Sequence, residues 1–135
     1  MAFLVYFENS ISSQRININA ERVDQRMTRS PLVYDRANKT EPKMRDLKKM
    51  RNMFIVTAFL GGNYDIDNNG SVEDVLTQKH YIEDKLKDAN WIGKAHKFYW
   101  TDRSYTGLIM KVDFTEVGGE QGQYDLIMEF QEGTF

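Results

Sequence analysis

The residues whose types and spacing best suit chemistry lie between Asp65 and Glu73. In Asp65-Ile66-Asp67-Asn68-Asn69-Gly70-Ser71-Val72-Glu73, side-chain oxygens recur at the first, third and fifth positions. A glycine follows at the sixth, an apolar residue at the eighth and an acid at the ninth. That is the opening pattern of a calcium-wrapping loop, in which hard oxygen donors surround the ion and the glycine permits a sharp turn. Asp65, Asp67, Asn69 and Glu73 are the ligands such a site would use. The pattern fails at its end, because Leu76 stands where a bidentate Glu would close the coordination sphere. The segment ahead of it, Met53 to Leu60, is β-branched and aromatic rather than an amphipathic helix. A competing and simpler account is an Asx-rich turn that carries the chain from a strand into a helix.

No other group of residues assembles a reaction. His80 and His96 have no second His or Cys at ligand spacing, and no Ser/His/Asp or Cys/His order can be defended. Cysteine is absent, which excludes disulfides, thiolate metal sites and a cysteine nucleophile. Gly61-Gly62 and Gly118-Gly119 begin neither a phosphate loop nor a dinucleotide fingerprint and are expected to punctuate turns. Trp91, Tyr99, Trp100 and Tyr105 could form an aromatic platform for sugars; core and rim packing is the simpler expectation. The chain is therefore expected to be no enzyme, with no catalytic residues and no cofactor beyond calcium.

The 135 residues suit one domain, 1–135, large enough to bury a real core. Hydrophobic residues at 41% and charged residues at 28% are ordinary for a globular protein. The apolar start, Met1 to Phe7, lacks the basic leader of a secretory signal, and no stretch has the roughly 20 apolar residues a membrane span needs. The net charge of -2 hides an imbalance. Residues 1–51 carry 11 Lys+Arg against 6 Asp+Glu, while residues 52–135 carry 7 against 14. Overall acidity argues against a sequence-specific nucleic-acid binder. Opposite halves of this kind suit head-to-tail contact between copies, which generates rings or filaments.

The elements that must position these residues follow from periodicity. Phe3 to Phe7 reads as a first strand or arm, and Ile16, Ile18 and Ala20 alternate as a second. From about 30 to 50 the pattern dissolves into a long loop punctuated by Ser30-Pro31 and Glu41-Pro42, with a short helix expected around Met44 to Met50. Met53 to Leu60 is expected as a central strand. Val72 to about Asp88 has an apolar stripe of Val72, Val75, Leu76, Ile82 and Leu86 at helical spacing, with Ser71 and Asp74 forming a capping box. Even-numbered apolar residues at 98–100, 108–114 and 124–130 predict a meander with one buried face. Odd connecting loops would keep the parity, placing Phe98 opposite Leu108 and Phe114 opposite Tyr124. The fold class expected is α+β, mostly β: an antiparallel β-sandwich or split barrel with one flanking helix.

The run from His96 through Tyr105-Thr106-Gly107-Leu108-Ile109 to Glu116, with Tyr124 to Gly133 after a Gly-rich loop, resembles the closing strands of the phage tail-tube and baseplate-hub family. That family includes tube proteins of contractile injection systems. The resemblance covers the last 85 residues well and the first 50 loosely. It implies a structural virion protein, a tube, hub or distal adaptor, assembled in the host cytoplasm. It further implies a homo-oligomeric ring held by strand-edge, loop and complementary-charge contacts, with neighbouring tail or baseplate proteins as partners and no membrane. The 30–50 segment stands where that family places a variable loop touching adjacent rings. The alternative is a small calcium- or ligand-binding β module using the Asp65–Glu73 loop.

Overall fold

A computed structural model describes residues 2–29, 32–34, 43–45, 50–88, 91, 94–116 and 122–133. The chain is mostly antiparallel β with one helix. Six strands close into a barrel in the order β1 (Phe3–Asn9), β2 (Arg15–Arg29), β5 (Met50–Leu60), β8 (Tyr124–Glu132), β7 (Arg103–Thr115) and β6 (His96–Trp100). β6 pairs back onto β1, Phe98 opposite Phe7, so the expected sandwich or split barrel is a closed one. Closure follows from the first strand, which pairs with two neighbours and leaves no sheet edge there.

The interior is set by alternation. Val5 and Phe7, Ile16, Ile18 and Ala20, then Phe54, Val56, Ala58 and Leu60, with Leu126, Met128 and Phe130, are all buried. Phe7, Phe54, Phe98 and Phe130 form an aromatic centre, Phe7 to Phe98 at 4.8 Å and Phe54 to Phe98 at 5.2 Å between centroids. Each such ring contributes roughly 1.5–3 kcal/mol by leaving water. Two interruptions of the period bend the sheet round. One lies between Ala20 and Arg22 on β2, the other between Ile109 and Lys111 on β7.

The second interruption corrects the expected register. β6 and β7 are joined by only Thr101 and Asp102, whose φ values of 53° and 60° are both left-handed, as the tightest hairpin turn requires. An even loop reverses parity, so Phe98 faces Tyr105 rather than Leu108. Tyr105 and Ile109 then pack on the core. The bulge at Met110 restores the original parity for Val112 and Phe114, which sit opposite Met128 and Leu126 rather than Tyr124. Met110, expected inside, is 58% exposed. Gly107 is required by proximity: a Cβ there would lie 2.0 Å from the Gln131 carbonyl oxygen.

The long loop expected over 30–50 contains paired structure. β2 and β5 remain paired beyond the barrel as far as Arg29 and Met50, and β3 (Leu32–Tyr34) pairs antiparallel with β4 (Lys43–Arg45). Met44 and Arg45 are therefore in a strand, not a helix; residues 46–49 lie outside the described residues. The alternation Lys43-Met44-Arg45, set against the all-apolar Leu32–Tyr34, suits a short strand better than a helix stripe.

The helix α1 runs over Val75–Lys87 and begins later than expected. Glu73 is held in an extended bridge with Tyr64, so Asp74, not Ser71, is the N-cap, its Oδ1 accepting from the Thr77 N–H at 2.8 Å. The stripe shifts accordingly. Val72 and Leu76 are exposed at 70% and 53%, while Gln78 and Ile82 are buried and Val75, Tyr81 and Leu86 pack against the core. α1 seals one end of the barrel. The Tyr81 hydroxyl donates to the Arg15 carbonyl at the β1–β2 turn, and Lys79 sits over the rings of Phe114 and Tyr124, where β7 ends and β8 begins. Among the described residues no helix is long and apolar enough to cross a membrane.

Candidate functional site: an acidic loop on the capped end

The Asp65–Glu73 loop lies between β5 and α1 and is tied to the barrel wall by buried amides. Asn17 on β2 takes the Ile66 carbonyl on its backbone N–H at 2.7 Å and donates its side-chain N–H to the Asp65 carbonyl at 3.0 Å. Tyr64 returns a hydroxyl bond to the Asn17 carbonyl at 2.9 Å, and burial pushes that phenol well above its ordinary range. Gln78, fully buried on α1, donates to the carbonyls of Gly62 and Glu73 at 2.8 and 2.9 Å. Ile66 is inserted into the core between them. The base of the loop is therefore rigid, and its tip is exposed.

Within the loop the carboxylates are largely occupied by backbone. Asp65 accepts from the N–H groups of Asn69 and Gly70 at 3.0 and 2.8 Å. Asp67 accepts the Asn69 backbone N–H at 3.2 Å and its side-chain N–H at 3.0 Å. Glu73 accepts the Ile66 N–H at 3.0 Å. Asn68 and Gly70, at φ 62° and 91°, supply the left-handed steps that fold the tip back. One oxygen from each of Asp65, Asp67 and Glu73 lies within 4.8 Å of the others.

Three carboxylates at this spacing perturb one another. Desolvation, a shared proton with Asp65 and the charge of Glu73 push Asp67 above its ordinary value. Desolvation acts the same way on Asp65, but the N–H groups of Gly70 and Asn69 outweigh it and hold that carboxyl low. Tyr81 is pushed up to about 12 by burial and then by the same three acids. A cation among the three oxygens would relieve this repulsion, and their spacing suits a large oxygen-seeking ion.

Of the four ligands expected from sequence, Asp65, Asp67 and Glu73 converge. Asn69 does not present its oxygen to them, since Oδ1 accepts the Ser71 N–H at 2.8 Å. Leu76, in the place of the missing closing carboxylate, points to solvent on the first turn of α1. Asn17 and Gln78 were not singled out by sequence reasoning. Gln78 left a signal, a polar residue four before Ile82 on the buried stripe; Asn17 left none, because its partner is 48 residues away.

The remaining expected groups do not combine. Trp91 is buried against His96 at 4.7 Å, while Trp100 and Tyr105 pack on Phe54 at 5.9 and 4.5 Å. Tyr99 lies outside the barrel, stacked on Tyr6 at 4.5 Å with the Arg15 guanidinium 3.6 Å from the far ring. The four aromatics therefore form no single platform. His80 is exposed on α1. His96 is buried, and burial lowers it to about 4, so it is neutral at ordinary pH. It borders a cleft of about 350 Å³ with Leu86, Ile109 and Met110. Compared with known proteins, the chain matches no family model and no curated sequence.

Proposed function

We propose that this protein is a structural subunit of a phage tail or baseplate, a tube, hub or distal adaptor, which assembles into a ring. The observation that carries the reading is the projecting β2–β5 ribbon on a closed, helix-sealed barrel. Residues 22–51, spanning the outer halves of both strands and β3–β4, carry 10 Lys+Arg against 4 Asp+Glu; the rest of the chain carries 8 against 16. A basic arm on an acidic body favours heterologous contact between copies over a face-to-face dimer. Among the described residues, strand edges are left free on that arm and on β7 beyond Gly107, which pairs with β8 alone. Neighbouring tail proteins are the other partners, the virion is the location, and no reaction is assigned.

Native mass spectrometry and negative-stain imaging test this directly. Rings or short tubes are expected at low ionic strength, alone or with tail proteins, and salt should weaken them as it screens the charges. Reversing Arg22 and Arg26 to Glu should lower assembly while leaving the monomer's melting unchanged. A protein that stays monomeric at high concentration with every tail protein of its phage would sink the reading.

The convergence of Asp65, Asp67 and Glu73 favours a second reading, a calcium-binding β module in which Glu73 replaces the absent closing ligand. Calorimetry with millimolar calcium should give heat for the native chain and none for Asp65→Ala. No heat with the native chain removes this reading and leaves the first intact.

A further inference from the structure

We propose that the outer groove between the start of β1 and the β6–β7 hairpin is a binding site for neutral carbohydrate. The groove encloses about 430 Å³, a size that takes a small-molecule ligand, and is lined by Leu4, Tyr6, Tyr99, Trp100 and the turn residues Thr101–Ser104. Its aromatic wall is fixed in advance. Tyr6 and Tyr99 are cross-strand partners whose rings stack at 4.5 Å, the Arg15 guanidinium sits 3.6 Å from the ring of Tyr6, and the Tyr99 hydroxyl bonds to Glu8. One face of Tyr99 is therefore taken, and among the described residues no ring or cation covers the other. A flat, immobilised ring of this kind offers its negative face to the polarised C–H groups of a pyranose.

The polar side of the groove is free to bind. Among the described residues the side chains of Asp102, Arg103 and Ser104 are exposed and have no hydrogen-bond or ion-pair partner. Thr101 gives only its hydroxyl proton, to the Trp100 carbonyl at 2.7 Å. A carboxylate that accepts, a guanidinium that donates and hydroxyls that do both match a row of neighbouring sugar hydroxyls. Asp102 repels an anionic ligand and Arg103 a cationic one, which leaves a neutral polyol as the class that fits. The turn is also built of unexpected residues. Thr101 and Asp102 stand at left-handed φ, 53° and 60°, where Asn-Gly would make the same turn without a crowded β-carbon. Side chains that strain the fold here bring a hydroxyl and a carboxylate to the groove, the pattern found where function rather than folding sets the residue. β6 and β7 lie across the barrel from β5 and β2, so the groove is clear of the basic ribbon and independent of the assembly reading.

Saturation-transfer NMR on the full chain tests the site, with cellotetraose, maltotetraose and mannotetraose as neutral probes and heparin as an anionic one. At least one neutral tetrasaccharide should receive saturation, strongest at its ring C–H protons, and heparin should receive none. Tyr99→Ala should weaken binding of that sugar on the order of tenfold by removing the stacked face. Thr101→Asn combined with Asp102→Gly separates binding from folding. That variant should melt at a higher temperature than the native chain, because the turn relaxes, and yet bind the sugar about tenfold more weakly. Saturation of none of the neutral sugars, a preference for heparin, or unchanged affinity in either variant would each overturn the proposal.

Discussion

The two ends of the barrel are built on opposite plans. At one, Ile66, Ile82 and Trp91 fill the mouth, and Gln78 and Asn17 satisfy the carbonyls that the crossing loop would otherwise strand. At the other, nothing among the described residues crosses. Phe3 and Met27 stand 40% and 55% exposed, Trp100 and Tyr105 are half-buried, and a relay from Gln25 to Asn52 to Glu132, at 3.0 and 2.7 Å, borders the aromatic centre. The first end buries Ile66, Ile82 and Trp91 beneath α1, while Ile11, Val72 and Leu76 on that side stay exposed. The second exposes Phe3 and Met27 beside the basic ribbon. Under the proposed ring assembly, monomer stability and assembly would fall to different ends, and mutations should separate them.

The largest effect is expected where the barrel wall permits no side chain at all. Gly107→Val should abolish folding or cost more than about 3 kcal/mol, because the colliding atoms are β8 backbone and cannot move without opening the wall. Chemical denaturation would measure it. At the sealed end, Ile82→Ala should cost roughly 2–5 kcal/mol through lost burial and the cavity left behind. A value under about 1 kcal/mol would mean that α1 is a loose flap, and the contrast between ends would fail.

Acid should act on the sealed end through His96. Its folded-state value near 4 lies below the unfolded value near 6.5, so the folded protein binds fewer protons between them. The resulting stability is complete above about pH 6.5, falls as pH drops through the window, and is lost below about 4; over that interval it amounts to a few kcal/mol at most. Melting curves of wild type and His96→Phe should diverge in slope across that window. The smallest effect on the monomer is expected at the open end. Met27→Ser should change stability by less than about 0.5 kcal/mol, yet reduce ring formation in the native-mass experiment.

Much of this was legible in the residues, and the failures share a cause. Strand β8 followed from alternation, since a half-buried wall repeats every second residue, while β1 and β5 followed from short apolar runs rich in strand formers. The Thr101-Asp102 turn was missed because the β-branched Thr101 is an unusual left-handed former, and an unforeseen even loop inverts parity for everything after it. The bulge at Met110 then hid the error by restoring parity at Val112, so the expected faces at 112–114 and 126–130 survived a wrong register. Ser71 lost the cap to Asp74 because the bridge from Tyr64 to Glu73 is a tertiary contact. In the acidic loop, spacing alone brought out Asp65, Asp67 and Glu73, whereas the turning away of Asn69 depended on which N–H groups the folded loop offered it.

By itself the sequence determined most of the element types outside the 30–50 segment, the identity of most core side chains, the position of the acidic loop and the separation of charge along the chain, all of which are local or compositional properties. The tertiary structure decided that the sheet closes on itself, that β2 and β5 stay paired out to Arg29 and Met50 with Leu32–Tyr34 paired to Lys43–Arg45, and that α1 seals one end while nothing among the described residues crosses the other. Those outcomes depend on pairing between residues far apart in the chain, such as Phe7 with Phe98. Local preference cannot encode such pairing, because its free energy exists only once both strands are in place.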